Sequence, residues 1–537
     1  MPGVVQLYDS TLRDGSQMEG ISFSLEDKLL IAQKLDEIGI HFIEGGFPGS
    51  NPKDAEFFVR ARDLELRQAR IVAFGGTRRA GLSCDEDPNI QSLVHAHTQA
   101  ICFVGKASAR QVRDILETTP EENLSMIADS VAYMRAIGKQ VFFDAEHFFD
   151  GFFDDPGYSL QVLRTAHRAG AEVAVLCDTN GGTITPKLLE AIGAVRETGV
   201  PFGIHVHDDT GLGVANTLAA FEAGAVQLQG CLNGYGERCG NANLTTVIAN
   251  LKVKLGVDCV SDEQLSRLTE VSHFVSELAN LAPNSQAPYV GQSAFAHKAG
   301  YHVAAIVKDA SSYQHIDPVT VGNDRRVLIS ELSGQRNILA KLEEQGVHIP
   351  LNGEETKRLL QSVKTMESRG YQFEGAEASF EVLVRRGQPD YTPPFELEDF
   401  LIVERRRHKA DRDRDGETKE MLAEAMAKVR VGEEVRHTAA EGNGPVNALD
   451  GAVRKALVEF FPDLERIRLL DYKVRILDGN TGTSASTRVL IESTDGVQIW
   501  RTVGVSTDII EASWLALADS LEYWLYHHAR LHAQMLA

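Results

Sequence analysis

Eight short β-rich runs separated by amphipathic helical stretches fill the first half of this chain, and that alternation restricts the fold more than any other feature. The runs are Val4–Asp9, His41–Gly46, Arg70–Gly75, Ala100–Val104, Gln140–Asp144, Glu172–Asp178, Pro201–His207 and Val226–Asn233. Between them apolar residues recur at helical spacing, as in Leu25–Ile38, Glu121–Ile137, Ser159–Ala169 and Val214–Ala223. Repeated strand–helix units of roughly 30 residues imply a parallel sheet, because a parallel connection needs a long crossover. Eight such units within about 250 residues match a closed (β/α)8 TIM barrel. An open doubly wound sheet is the alternative, but no GxGxxG phosphate turn follows the first strand. The expected catalytic barrel spans residues 1–280.

Residues 256–395 are less regular, and a linker subdomain is expected over 281–400. Helical pattern over Asp262–Leu281 leads into Ala294–His302, and more helix is expected near Ser333–Gln345 and Gly353–Glu367. This mainly helical linker subdomain is expected to complete the active site. Near residue 404 the chain turns highly charged, with Glu404–Lys409 and Asp411–Gly416 reading as a solvated strand end and turn. Beyond it, Glu420–Val435, Ile467–Ile476, Thr487–Ser493 and Gln498–Val505 read as strands, and Val446–Phe461 and Ile509–His527 as helices. Residues 401–537 are therefore expected to form an α+β domain.

Charge narrows the partners. The chain has 54 Lys and Arg against 76 Asp and Glu, a formal net charge of −22. That field repels phosphate backbones, so general nucleic-acid binding is not expected. No basic-then-apolar leader and no apolar run of about 18 residues is apparent, so neither a signal peptide nor a membrane span is expected. The six cysteines are scattered singly, mostly in apolar runs, and read as reduced thiols of a cytoplasmic protein.

A barrel concentrates chemistry where its strands end at the C-terminal rim. Polar residues collect there: Asp9–Gln17, Glu44–Pro48, Asp144–His147, Asp178–Gly182, His205–Asp209 and Asn233–Asn241. His205 and His207 lie two apart on a strand, so their side chains share a face. Two imidazoles and one carboxylate suit a divalent ion with open coordination positions. Asp14 is the expected carboxylate, since strands one and seven are nearly adjacent around the ring, and Asn241 is a candidate fourth ligand. Nitrogen and oxygen donors without thiolate suit Mn, Mg, Co or Zn. Arg13, beside Asp14, can grip a substrate carboxylate or form a salt bridge to a rim carboxylate such as Glu146.

At these motifs the sequence resembles the 2-isopropylmalate, homocitrate and citramalate synthase family. Leu12-Arg13-Asp14-Gly15-Ser16-Gln17, followed by ten residues and Lys28, matches one family signature. His205-x-His207-Asp208-Asp209 with Ala215-Asn216 matches another, although Gly213 stands where many members carry Ala. Glu44–Lys53, Thr77-Arg78-Arg79, Leu176–Gly182 and Asn233–Asn241 are similar to the longer citramalate synthases, with Phe47 in place of a more usual Trp. The tail, with Glu441–Ala448 and the Gly479–Thr483 turn, is similar to the family's C-terminal regulatory domain.

The resemblance implies condensation of acetyl-CoA with pyruvate and water to give (R)-citramalate and CoA, in a route to isoleucine. It implies metal ligation by Asp14, His205, His207 and Asn241, and pyruvate held by Arg13 and Thr179. It implies His297 as base, assisted by Tyr313, with Glu146 and Glu237 positioning substrate or relaying protons; His302 competes with His297. In relatives this segment reaches another subunit's barrel mouth, so a homodimer is implied, with isoleucine as feedback effector. Isopropylmalate or homocitrate synthesis would differ only in side-chain room beside the metal, a pocket expected to involve Phe142. A 3-hydroxy-3-methylglutaryl-CoA-lyase-like enzyme would use a loop cysteine, and Cys239 is superficially placed for that. An amino-acid sensor with a vestigial barrel would have no need of the Arg13, Asp14, His205 and His207 set.

Overall fold

The computed structural model describes residues 5–298, 300–306, 308–327, 353–405, 422–477 and 485–535. The chain forms two compact units, one running to Phe295 with His315–Arg325 added, the other comprising Ala296–Gln314 and the chain from Arg326 onward.

In the first unit, eight parallel strands close into a barrel in sequential order: β1 (Gln6–Asp9), β2 (Phe42–Gly46), β3 (Arg70–Gly76), β4 (Ala100–Lys106), β5 (Gln140–Glu146), β6 (Val173–Asp178), β7 (Phe202–Val206) and β8 (Gln227–Gly230). The ring closes where β1 pairs with β8, from Gln6 opposite Gln227 to Asp9 opposite Gly230. All eight expected runs are strands, and the closed ring rules out the open sheet. Because the strands are covered on both faces, both residue parities are largely apolar. One parity packs outward under helices, as with Leu7, Ile43, Phe143, Leu176 and Ile204. The other fills the lumen with Tyr8, Phe42, Val72, Cys102, Phe142 and Val175.

The helices start where capping chemistry starts them. Ser24 and Asp27 form a capping box for Leu25–Glu37, while Thr119 and Asp155 cap Pro120–Ala136 and Pro156–Ala169, each with Pro in the first turn. The pattern over Asp262–Leu281 resolves into two helices, Asp262–Ser266 and Leu268–Leu278. Of the six cysteines all are free, five of them buried and Cys239 exposed. Among the described residues no helix is long and apolar enough to cross a membrane.

The second unit carries helices Gly353–Ser368 and Glu377–Arg386 and two antiparallel three-stranded sheets. Glu396–Arg405, Leu422–Val431 and Glu434–Gly442 form one sheet, in which Ala423, Ala425 and Ala427 pack under Ala448, Leu449 and Ala452 of the helix Pro445–Val458. Arg468–Ile476, Thr487–Thr494 and Ile499–Ser506 form the other, with Val489 and Ile491 against Ala512 and Ala516 of the helix Ile509–Met535. The single strand expected over Glu420–Val435 is instead a hairpin, because Gly432 takes φ +59 and reverses the chain. The helix expected near Ser333–Gln345, the Gly479–Thr483 turn and the charged run after Arg405 lie outside the described residues.

Candidate metal centre and active site

The loop after β1 is pinned from below. The Asp9 carboxylate accepts from the Thr11 amide (2.8 Å), the Thr11 hydroxyl (2.9 Å) and the Leu232 amide beyond β8 (3.0 Å). Burial pushes Asp9 up to about 7, against the pull of those donors. With the loop fixed, Asp14 turns toward β7. Its Oδ2 lies 3.4 Å from His205 Nε2 and 3.9 Å from His207 Nε2, and the two Nε2 atoms are 3.4 Å apart. One ligand atom from each of Asp14, His205 and His207 thus falls within 4.8 Å of the others, all three residues buried.

Electrostatics and unmet valences fit a cation. Burial opposes charge on Asp14, yet the Arg13 guanidinium and the imidazoles hold its carboxyl far below the usual carboxylate range. Burial and the adjacent His205 lower His207 to about 4, leaving a neutral imidazole able to ligate. Burial alone would lower His205, but the Asp14 carboxylate leaves it raised. Asp14 Oδ1, His207 Nδ1 and Asn241 Oδ1 are buried polar atoms without a hydrogen-bond partner among the described residues. Unmet buried acceptors are costly, and Asp14 Oδ1 and Asn241 Oδ1 beside the paired Nε2 atoms fit a cation. Asn241 bridges to His207 in the backbone, and its Nδ2 donates to the Tyr235 carbonyl (3.1 Å), so Oδ1 is the end left for a ligand. Gly236, at φ +152, makes room: a Cβ there would lie 2.2 Å from Asn241 Nδ2.

Arg13 lies between two carboxylates. Its Nε is 2.5 Å from Glu44 Oε1, its Nη1 is 3.2 Å from Asp14 Oδ2, and its guanidinium carbon stands 4.0 Å over the Phe74 ring. The rim salt bridge considered for Arg13 therefore goes to Glu44, while Glu146 pairs with Lys106. Glu44 also accepts from the Tyr8 hydroxyl (2.5 Å) and the Ser10 hydroxyl (2.6 Å). Although Glu44, Cys102 and Asp144 also bring ligand atoms within 4.8 Å, Glu44 is already engaged by three donors and burial keeps the Cys102 thiol protonated, so the two carboxylates are an anionic base beneath Arg13. Burial and Glu44 push Asp144 up to about 6.

Other rim residues fall into place around this centre. Thr179 Oγ1 accepts from the His147 amide (2.8 Å), where His147 takes the left-handed φ of +57. Glu237 is half exposed, its Oε2 3.7 Å from Arg238, which grips Asp209 with Nε (2.8 Å) and Nη2 (2.9 Å). Phe142 is fully buried in the lumen against Phe42 (4.8 Å between centroids), and Asp144 and Glu146 follow it on the same face toward the rim. Gly213 has a local reason: a Cβ there would meet Asp208 Oδ1 at 2.9 Å.

Against protein families, residues 4–275 match the HMGL-like model, 289–371 the homocitrate synthase post-HMGL domain-like model, and 374–525 the LeuA allosteric (dimerisation) domain. The (R)-citramalate synthase of Geobacter sulfurreducens is 51% identical over 524 residues, covering 97% of this chain and 98% of that one. That of Aquifex aeolicus is 48% identical, covering 97% and 98%. This chain belongs to the (R)-citramalate synthase family. The 2-isopropylmalate synthase of Methanocaldococcus jannaschii matches with similar coverage, 97% and 95%, but at 30% identity. The match to (R)-citramalate synthases runs through both units, so the second unit is part of the shared architecture.

Two of the expected site residues lie in that second unit. His297 closes a two-residue strand paired with Arg326–Val327, and Gln314 Nε2 approaches its Nε2 at 3.4 Å. Tyr313 stacks on His302, ring centroids 4.2 Å apart, so the rival histidine is a partner of Tyr313 within the same unit. Sequence reasoning missed Glu44 as partner of Arg13, Lys106 as partner of Glu146, and Gln229 and Asp144 behind His205. Only alternation on β2, β4, β5 and β8, placing each on the inner face, could have hinted at them.

Proposed function

We propose that this chain condenses acetyl-CoA with pyruvate and water to give (R)-citramalate and CoA. The observation that carries this reading is the convergence of Asp14, His205 and His207, with the partnerless Asn241 Oδ1 beside them, at the rim of a barrel whose whole chain matches (R)-citramalate synthases. A divalent ion held by these four residues supplies Lewis-acid polarisation of the keto oxygen. Their donors suit Mn, Mg, Co or Zn.

Arg13 spends two of its five N–H donors on Glu44 and Asp14 and offers the rest to the pyruvate carboxylate. Thr179 accepts from His147 and keeps its own proton to donate to a substrate oxygen. His297 takes a proton from the acetyl methyl, with Tyr313 assisting; the carbon so freed bonds to the keto carbon, the C=O π pair moves onto the keto oxygen, and that oxygen takes up a proton to become the hydroxyl. Glu146, tied to Lys106, and Glu237 position substrate or carry protons until water cleaves the thioester. A rim groove of about 530 Å3, lined by Arg110, Phe153, Asn180, Ile184 and Lys187, supports a place for CoA next to Thr179. The enzyme works as a homodimer in the cytoplasm, in a route to isoleucine, with isoleucine as inhibitor acting through the C-terminal domain.

Thiol release from acetyl-CoA, measured over a panel of 2-oxo acids with and without chelator and isoleucine, tests this. Pyruvate should turn over fastest, EDTA should stop it, and a divalent ion should restore it. Faster turnover of 2-oxoisovalerate would overturn the substrate, and turnover indifferent to EDTA would overturn the metal.

A further inference from the structure

His205 is backed by a hydrogen-bond chain with only one consistent direction. Gln229 faces it across the β7–β8 pairing, and both residues are buried. His205 Nδ1 lies 3.1 Å from Gln229 Oε1. On the other side of that amide, Gln229 Nε2 lies 3.1 Å from Asp144 Oδ1 and 3.2 Å from Gln227 Oε1. Gln227 Nε2 in turn donates to Gln6 Oε1 at 3.0 Å, carrying the ladder onto β1.

Amide oxygen and nitrogen differ only in what they can face. The Asp144 carboxylate accepts, so the end of Gln229 beside it must be the NH2 group, whose two hydrogens match the two acceptors there. The carbonyl end is then forced toward His205, where it can only accept. Nδ1 must carry a proton, and Nε2, which faces Asp14 and His207, is the nitrogen left to ligate an ion. An orienting partner on the far nitrogen of a ligating imidazole fixes its tautomer and ring tilt. His207 has no such support, since its Nδ1 is without a partner among the described residues.

We propose that Gln229, anchored by Asp144 and Gln227, is a positioning residue that fixes the tautomer and tilt of His205 for metal ligation. This rests on the metal reading given above. Gln229 bonds His205 directly, so its effect on the ion passes through that imidazole. Gln229, Gln227 and Asp144 are all buried in the lumen, where a wrongly turned amide would set oxygen against oxygen.

Co(II) binding by the full-length protein tests the inference, using a competing chelator for affinity and the paramagnetically shifted imidazole N–H resonances as signature. The parent should show a slowly exchanging Nδ1–H from His205. Gln229→Met, similar in shape but without the acceptor, should bind Co(II) about 10–100-fold more weakly and lose that slow resonance. Gln229→Glu keeps an acceptor, with one proton shared between the new carboxylate and Asp144, and should recover most of the affinity. Equal affinity in parent and Gln229→Met would overturn the proposal, as would equal losses in both variants. Should the variants fail to fold, a parent N–H at His205 that exchanges freely overturns it by itself. A parent that binds no Co(II) would instead overturn the metal reading.

Discussion

At the scale of single residues, Arg13 shows how this site uses geometry that a point charge cannot supply. Its planar fork spans Glu44 and Asp14 while its face lies over Phe74. Lysine keeps the charge but neither the fork nor the stacking. Arg13→Lys should therefore cost about 10²–10³ in kcat, the range seen when a preorganised donor is removed, and should raise the KM for pyruvate. Steady-state kinetics with saturating acetyl-CoA would check it, and a variant within two-fold of the parent would refute the role. The convergence of Asp14 with His205 and His207 was legible from rim position and from the shared parity of the two histidines. Their supports were not, because Glu44 is 31 positions from Arg13 and Asp144 is 85 from Gln229. Such contacts exist only once the barrel closes.

At the scale of elements, the loop after β8 separates competing chemistries. Cys239 is exposed and lies two residues before the candidate ligand Asn241. A lyase-like mechanism would need its thiol, whereas the synthase reading gives it none. Cys239→Ala should leave thiol release unchanged, and near-complete loss of activity would favour cleavage chemistry. Gly236→Ala should behave oppositely, since its Cβ would displace Asn241 and weaken the metal, an effect readable as a higher metal concentration for half-maximal rate. The groove after β4, β5 and β6 gives a third test. Lys187 stands 4.9 Å over Phe153 there, although it also pairs with Glu190. Lys187→Glu should raise the KM for acetyl-CoA and leave that for pyruvate alone. These loops follow strands whose existence the sequence displayed clearly, because buried parallel strands and amphipathic helices have different periods. The tail was harder to read. Glu434–Gly442, which flanks Leu422–Val431 in a sheet with one exposed face, has only Val435, Ala439 and Ala440 as apolar residues, while the Phe400–Val403 run of Glu396–Arg405 stands between charged residues and shows no alternation.

At the scale of the whole molecule, the decisive question is where His297 works. It belongs to the second compact unit, whereas Asp14, His205 and His207 belong to the first. The second unit also contains the match to a dimerisation domain, and its strand Arg468–Ile476 exposes Leu469, Leu470, Val474 and Ile476. If that face joins two copies and His297 serves the partner's barrel, two dead variants should rescue each other. On the proposed function, Asp14→Asn takes away a metal ligand and His297→Ala the base, so each homodimer should be inactive. After subunit exchange, a heterodimer holds one composite site with both residues intact and one with neither. With half the dimers mixed, about a quarter of parental activity should return, as two-fold symmetry requires. Mixtures that stay inactive, despite exchange shown by differently tagged subunits, would place His297 in its own subunit's site. Leu470→Glu then provides the independent check. It leaves every barrel residue untouched, so loss of turnover together with a monomeric mass by light scattering would mean that the active site exists only between two chains.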